Sequence, residues 1–265
     1  MYEGRSLVCH GIKKHCYDFS SCGYVNLMPP GHTDGGDSKQ AIRARTEFLN
    51  SGLYRPVADA LCDMLDRVAD GERLLVDAGC GEGYYTSLMA SRGFSVSGVD
   101  LSRAGAEATA KRVAREGTEH GFFAVASVYD LPFLDESVDV VTNIFAPCVE
   151  KEFSRVLRRN GILAVVYAGP NHLMGLKKAL YAETKENDGR MDLPINMQLI
   201  EEKRVKFTVT VEGRDAIQNL FSMTPYYWRT SPSDSEKLLG LDVLETDIDM
   251  IIAIYRNTTE GKEKV

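Results

Sequence analysis

Between Val76 and Thr86 the chain reads VDAGCGEGYYT: an apolar run carrying the acid Asp77 near its end, then a break into Gly79, Gly81 and Gly83. A second apolar run, Phe94 to Val99, ends in Asp100, seventeen residues beyond Gly83. A glycine turn directly after a strand, then a helix and a second strand tipped with an acid, is how a parallel α/β sheet begins when it holds a nucleoside at its strand ends. Few folds accommodate that order.

The glycine spacing bears on which nucleoside. Dinucleotide turns use G-x-G-x-x-G, with the third glycine for close helix packing and a pyrophosphate on the helix N-terminus. Here the pattern is G-x-G-x-G, followed by Tyr84 and Tyr85, and Glu82 lies inside the turn, where it would repel a pyrophosphate. S-adenosylmethionine carries a sulfonium, an ammonium and a carboxylate but no phosphate, so it suits a loop with Asp77 and Glu82 beside it. Asp100 is expected to accept hydrogen bonds from both ribose hydroxyls. The pattern points to a methyl-donor site, with a nicotinamide or flavin site as the alternative.

A length of 265 residues allows one sizeable core with a small appendage. Apolar runs at Leu74–Ala78, Ser95–Val99, Phe122–Ala126, Val138–Ile144 and Ile162–Tyr167 alternate with helical patterns near Tyr84–Ser91, Ala104–Glu116, Glu150–Leu157 and His172–Glu183. This alternation predicts a mostly parallel sheet with helices on both faces. Two further helices are expected over Lys39–Ser51 and Arg55–Val68, and a closing antiparallel pair at Val205–Val211 and Thr246–Tyr255. The segment Pro29–Ser38, with two prolines and three glycines, reads as a loop, and Gly71 as a break. The expected division is a front module at 1–35, a catalytic domain at 36–257 and a disordered tail at 258–265.

Ligands of open α/β sheets lie beyond the carboxyl ends of the strands. Asp77 with Gly79 and Gly81, Asp100, Ser127, Asn143 and the Ala168-Gly169-Pro170 turn all reach that edge. The segment Ser127–Phe133 is expected to wall the adenine. In the run NIFAPC, the amide of Asn143 is a candidate to hold the polar edge of a methyl acceptor, and Phe145 to stack on it. Cys148 in the same run is either a nucleophilic thiolate or a small packed side chain. His172, Glu82 and Asp130 are the candidates to take the acceptor proton.

Read together, GYVNLMPP (Gly23–Pro30), GDSKQAIRARTEFLNSGLYRP (Gly36–Pro56), DAGCGEGYYT, LPF, APC, GPNHLMGLK (Gly169–Lys177) and MTPYYWR (Met223–Arg229) closely resemble the bacterial guanine-N1 methyltransferases of large-subunit ribosomal RNA. The resemblance covers nearly the whole chain. It implies a Rossmann-like class I fold with a seven-stranded sheet, S-adenosylmethionine as cofactor and a guanine in a hairpin loop of 23S rRNA as acceptor. It also implies that Tyr54, Gly81, Glu82 and His172 contact the cofactor. Such proteins usually open with a small zinc module for RNA binding, built from C-x-x-C, a further Cys and a His. Here the first C-x-x-C is missing. Cys9 and His15 resemble the second pair, spread from three intervening residues to five, with Cys16 and Cys22 as further thiols. Cys9, His15 and Cys22 are thus the candidate metal ligands, but zinc needs four, and the expectation is a front module without it.

Charge and hydropathy narrow the partners. The net charge is −7, yet residues 1–56 carry +2 and the remainder −9, so a mildly basic front end can meet RNA locally. No run has the length and apolarity of a membrane span, and a cytoplasmic protein is expected. A homodimer is left open. The rival readings are a small-molecule methyltransferase, which the acidic balance suits, and a non-catalytic RNA-binding protein with the same fold.

Overall fold

The computed structural model describes the chain except for residues 1, 4, 10–13, 30, 32–35, 70–72, 117–120, 188–193 and 259–265. The Gly71 break, half of the loop expected at Pro29–Ser38 and all of the tail but Thr258 lie outside the described residues.

Three short strands, β1 (Tyr2–Glu3), β2 (Ser6–Val8) and β3 (Cys16–Asp18), form an antiparallel sheet in that order. Next come β4 (Tyr24–Asn26), α1 (Lys39–Asn50), α2 (Arg55–Val68), β5 (Leu74–Ala78), α3 (Tyr84–Ser91), β6 (Ser95–Asp100), α4 (Arg103–Arg115) and β7 (Phe122–Val125). The chain closes with β8 (Val138–Ile144), α5 (Glu150–Val156), β9 (Leu157–Ala168), α6 (Met174–Leu180), β10 (Gln198–Glu212), α7 (Arg214–Ser222) and β11 (Val243–Arg256). Among the described residues no helix is long and apolar enough to cross a membrane.

The main sheet has the order β10-β11-β9-β8-β5-β6-β7-β4. The seven strands expected from the sequence are all present, and β11, antiparallel to both of its neighbours, is the one that runs against the others. The eighth strand comes from the front of the chain: β4 pairs in parallel with β7, Val25 facing Ala124. Val25 is fully buried there, and Tyr24 and Leu27 pack on the core to either side. A boundary at residue 35 therefore does not separate the front segment from the main sheet.

Alternation along the strands builds the two layers. Leu75, Val140, Ala164 and Val166 face one buried cluster with α1, α2, α6 and α7, while Val76, Val141, Leu163 and Val165 face a second with Phe153 and Val156 of α5. Because successive strand residues point to opposite faces, runs apolar on every position are what a sheet covered on both sides requires. Local signals start the helices where the sequence suggests. Ser38 accepts from the Ala41 N–H at 3.2 Å to cap α1, Ser102 accepts from Gly105 N–H to cap α4, and Pro56 occupies the first turn of α2.

Several boundaries differ from expectation, β9 beginning at Leu157 rather than Ile162 and β11 at Val243 rather than Thr246. The helix expected over His172–Glu183 is only Met174–Leu180, since Leu173 takes a left-handed φ of +57° at its start and Tyr181 is extended at its end. Strand β10 starts well before Val205, because the charged stretch Glu201–Arg204 continues the backbone ladder with β11.

Helix α6 lies hard against β11. A Cβ on Gly175 would stand 1.9 Å from the Glu245 carbonyl oxygen, whereas one on Gly240 meets nothing within 4 Å. Gly175→Ala should therefore cost about 1 to 3 kcal/mol through overpacking, and Gly240→Ala less than about 0.5 kcal/mol, as read from urea unfolding midpoints.

Candidate methyl-donor and acceptor site

The neighbours of β5 are β6 on one side and β8 on the other, so the strand order reverses there. A crevice opens at such a switch point, beyond the carboxyl ends of β5 and β8. The glycine loop occupies it. Gly79, Gly81 and Gly83 have φ of +88°, +55° and +80°, a region other residues rarely enter. Gly79 is also a point of close approach, since a Cβ there would lie 2.5 Å from the Ala146 Cβ on the loop after β8.

Asp100, at the tip of β6, fastens the loop. One carboxylate oxygen accepts from the Gly81 N–H at 2.8 Å and the other from the Ser102 N–H at 2.7 Å. Each oxygen keeps a lone pair for a further donor. Burial pushes its pKa up despite these two bonds. Two oxygens at the strand tip beside a glycine turn fit the vicinal hydroxyls of a ribose.

Asp77 has a different part. Its side chain is 2% exposed, and its two oxygens accept from Thr86 Oγ1 at 2.5 Å and Thr142 Oγ1 at 2.9 Å. It ties α3 and β8 to β5 beneath the loop, and burial pushes its pKa up to about 6. Glu82, also buried, accepts from the Tyr84 N–H; burial raises its pKa against the nearby charge of Arg45. Arg45 was not singled out in the sequence. It reaches from α1 to Asp37 at 2.6 Å and lies beside Gly81. Ser127 caps the turn after β7 by accepting from the Tyr129 N–H.

Asn143, at the end of β8, is fully buried. Its Nδ2 donates to the carbonyls of Ala78 and Pro147, while its Oδ1 has no hydrogen-bond partner among the described residues. A buried acceptor left unpaired is costly, and one at the end of β8 suits a cationic donor such as the ammonium of S-adenosylmethionine. Phe145, two residues on, is 45% exposed and takes a left-handed φ of +54°. Its ring stacks on His172 with centroids 6.0 Å apart.

His172 is enclosed. Its Nδ1 accepts from the Asp249 N–H at 3.3 Å, so the ring proton sits on Nε2, which faces the Tyr54 hydroxyl at 3.4 Å. Burial lowers its pKa to about 4. With both nitrogens engaged and the ring neutral, His172 orients Tyr54 and Phe145 and is not poised to take a proton. The Tyr54 hydroxyl is pushed above its usual range by burial and likewise stays protonated.

The metal candidates do not converge. The Cys9 N–H donates to the His15 carbonyl across the β2–β3 hairpin, but Cys22 Sγ lies 3.9 Å from Glu107 of α4. Among the described residues no group of three or more His, Cys, Asp or Glu is placed to hold a metal ion.

The sheet order, the glycine loop and the acid at the tip of β6 define a class I S-adenosylmethionine-dependent methyltransferase, and residues 76–165 match the family model described as "Methyltransferase domain". A protein from Anaeromyxobacter dehalogenans described as a type II methyltransferase has the same fold, with a TM-score of 0.52 at 21% identity over 76% of this chain and 97% of that one. The finer relationship comes from sequence. A Micromonospora griseorubida protein, provisionally named a 23S rRNA (guanine-N(1)-)-methyltransferase, is 30% identical over 83% of this chain and 79% of its own. The 23S rRNA (guanine(748)-N(1))-methyltransferase of Streptomyces fradiae is 28% identical over 87% and 82%. The chain belongs to the 23S rRNA (guanine-N1)-methyltransferase family.

Two outcomes follow. Asp100→Ala should weaken S-adenosylmethionine binding by about tenfold or more, since charge-assisted hydrogen bonds contribute about 1.5 to 3 kcal/mol each; calorimetry measures this. The second concerns pH. Asp77 binds its proton more tightly in the folded state, so its contribution to stability falls as pH rises from about 4 to 6. His172 binds its proton less tightly when folded, so its contribution falls as pH drops from about 6.5 to 4. In urea titrations, the stability of the wild type relative to Asp77→Asn should decline with rising pH, and relative to His172→Gln it should increase.

Proposed function

We propose that this protein transfers the methyl group of S-adenosylmethionine to N1 of a guanine in a hairpin loop of 23S ribosomal RNA. The bound cofactor supplies an activated methyl group on a sulfonium. The protein's work is then to hold the two reactants at attack distance in line, which alone can account for much of the barrier reduction. Asp100 and the glycine loop hold the ribose end, and Asn143 Oδ1 accepts from the ammonium at the deep end of the crevice. The unpartnered Oδ1 supports a donor-side role for Asn143, which its place in the sequence had made a candidate for the acceptor.

The observation that carries the acceptor side is Phe145. An aromatic ring held at left-handed φ, nearly half exposed and braced by a buried neutral histidine, stands where β8 delivers the acceptor. Strained residues persist where surrounding structure holds them for a task, and a flipped base needs such a face to stack on. As N1 forms its bond to the methyl carbon, the methyl–sulfur bond breaks with its electron pair going to sulfur, and the N1 proton leaves; neither His172 nor Tyr54 is free to take it, and it departs toward solvent at the exposed Phe145 side. The small-molecule reading needs no such exposed face. Cys148 packs against the cluster around Phe153 and acts as a small apolar side chain.

N1 methylation blocks the pairing edge of guanine, so 23S rRNA treated with the protein and S-adenosylmethionine should stop reverse transcriptase at one loop guanine. Cys148→Ser should keep most of the activity. Full read-through by reverse transcriptase, with label incorporated only into a metabolite panel, would favour the small-molecule rival.

A further inference from the structure

The segment MTPYYWR lies outside the glycine loop and strand tips described above, and it contains the chain's single tryptophan. Trp228 is 71% exposed, at the end of a short 3-10 helix, Pro225–Trp228, that follows α7. A large apolar ring left in water is unusual, and the surroundings show that it is not loose. Trp228 meets Tyr227 edge to face at 5.0 Å, and Tyr227 meets Phe221 of the buried core at 5.4 Å. The exposed ring is the last of a braced series of three.

The same short helix is tied to the acceptor side of the site. The Tyr226 hydroxyl donates to Asn187 Oδ1 at 3.0 Å, and Lys177 Nζ donates to that oxygen at 2.7 Å. Asn187 Nδ2 in turn donates to the carbonyls of Gly169 and His172, each at 3.0 Å. The loop that positions His172, and through it Phe145, therefore shares a bonded frame with the helix that presents Trp228. Arg229, exposed, follows directly in the chain.

Two exposed aromatic faces, Phe145 and Trp228, thus stand on one frame, the second with a cation beside it. Unpaired loop nucleotides are recognised by stacking on aromatic rings with basic side chains along the phosphates. Resting on the RNA reading above, we propose that Trp228 is a stacking platform for an unpaired base next to the target guanine, with Arg229 meeting its phosphate. The occupant is a single-stranded nucleobase, since a paired stem offers no free base face. Trp228 acts in RNA binding and takes no part in holding the donor.

The lone tryptophan also provides the measurement. Bound to transcribed, unmethylated 23S rRNA, the wild-type protein should show Trp fluorescence shielded from acrylamide, while saturating S-adenosylmethionine or a fully paired RNA duplex should leave it accessible. In filter binding, Trp228→Ala should weaken 23S rRNA affinity by about tenfold, Trp228→Phe should restore most of it, and donor affinity should be unchanged in both. Wild-type RNA affinity in Trp228→Ala, or unshielded fluorescence in the RNA complex, overturns the platform and leaves the methylation reading standing if 23S rRNA is still modified. Shielding that grows with protein concentration without RNA overturns it in favour of a second copy of the chain. Absence of any 23S rRNA binding or methylation by the wild type removes both readings together.

Discussion

A single buried carboxylate sets the geometry on which the site depends. Asp77 is out of water at the end of the central strand, and among the described residues its side chain is compensated by the pair of hydroxyls from Thr86 and Thr142. An unpaired charge at that depth would not be tolerated. The first turn of α3 and the strand β8 must therefore both come to β5 in register, and the glycine loop between Asp77 and α3 is left with one course. Asp100 then closes that course from β6 by taking the Gly81 N–H. Two acids, one structural and one facing the crevice, do different work a loop apart.

The far side of the site depends on the strand that runs against the others. Asp249 of β11 has a fully buried side chain, paired in bidentate fashion with Arg204 of β10, and it accepts from the Asn171 N–H while its own backbone N–H donates to His172. Gly169 has no room for a Cβ beside it, which would stand 2.6 Å from the carboxylate. Such pairing holds the Asp249 pKa down, first through Arg204. The closing antiparallel pair is thus what turns a flexible turn after β9 into a fixed wall.

Much of this was legible in the residues. The boundaries of α2, β5, α3 and β8 follow from apolar period and glycine punctuation, and Asp100 and the loop were readable because strand, turn and terminal acid are close in sequence. What escaped was long-range. Arg45, Asn187, Tyr226 and Asp249 carry no local pattern, since their partners lie on other elements and only the fold brings them together. His172 was legible as a site residue but not as a neutral one, because its neutrality comes from burial, and its tautomer from a backbone N–H of β11, both supplied by the fold. Similarly, nothing local at Tyr24–Asn26 shows that these residues pair with β7 as an eighth strand.

That eighth strand has a consequence for how the chain is made. β4 is synthesised well before its partner β7, which emerges only after α1, α2, β5, α3, β6 and α4. Contacts this distant in sequence form late because closing a long loop precedes their reward. During synthesis the front segment must wait beside an unfinished sheet, and the free edge of β7 stays open to pairing with other chains until it docks. For this pair the order of assembly is set by the later strand: the one made earlier is the one that covers the edge of the one made later.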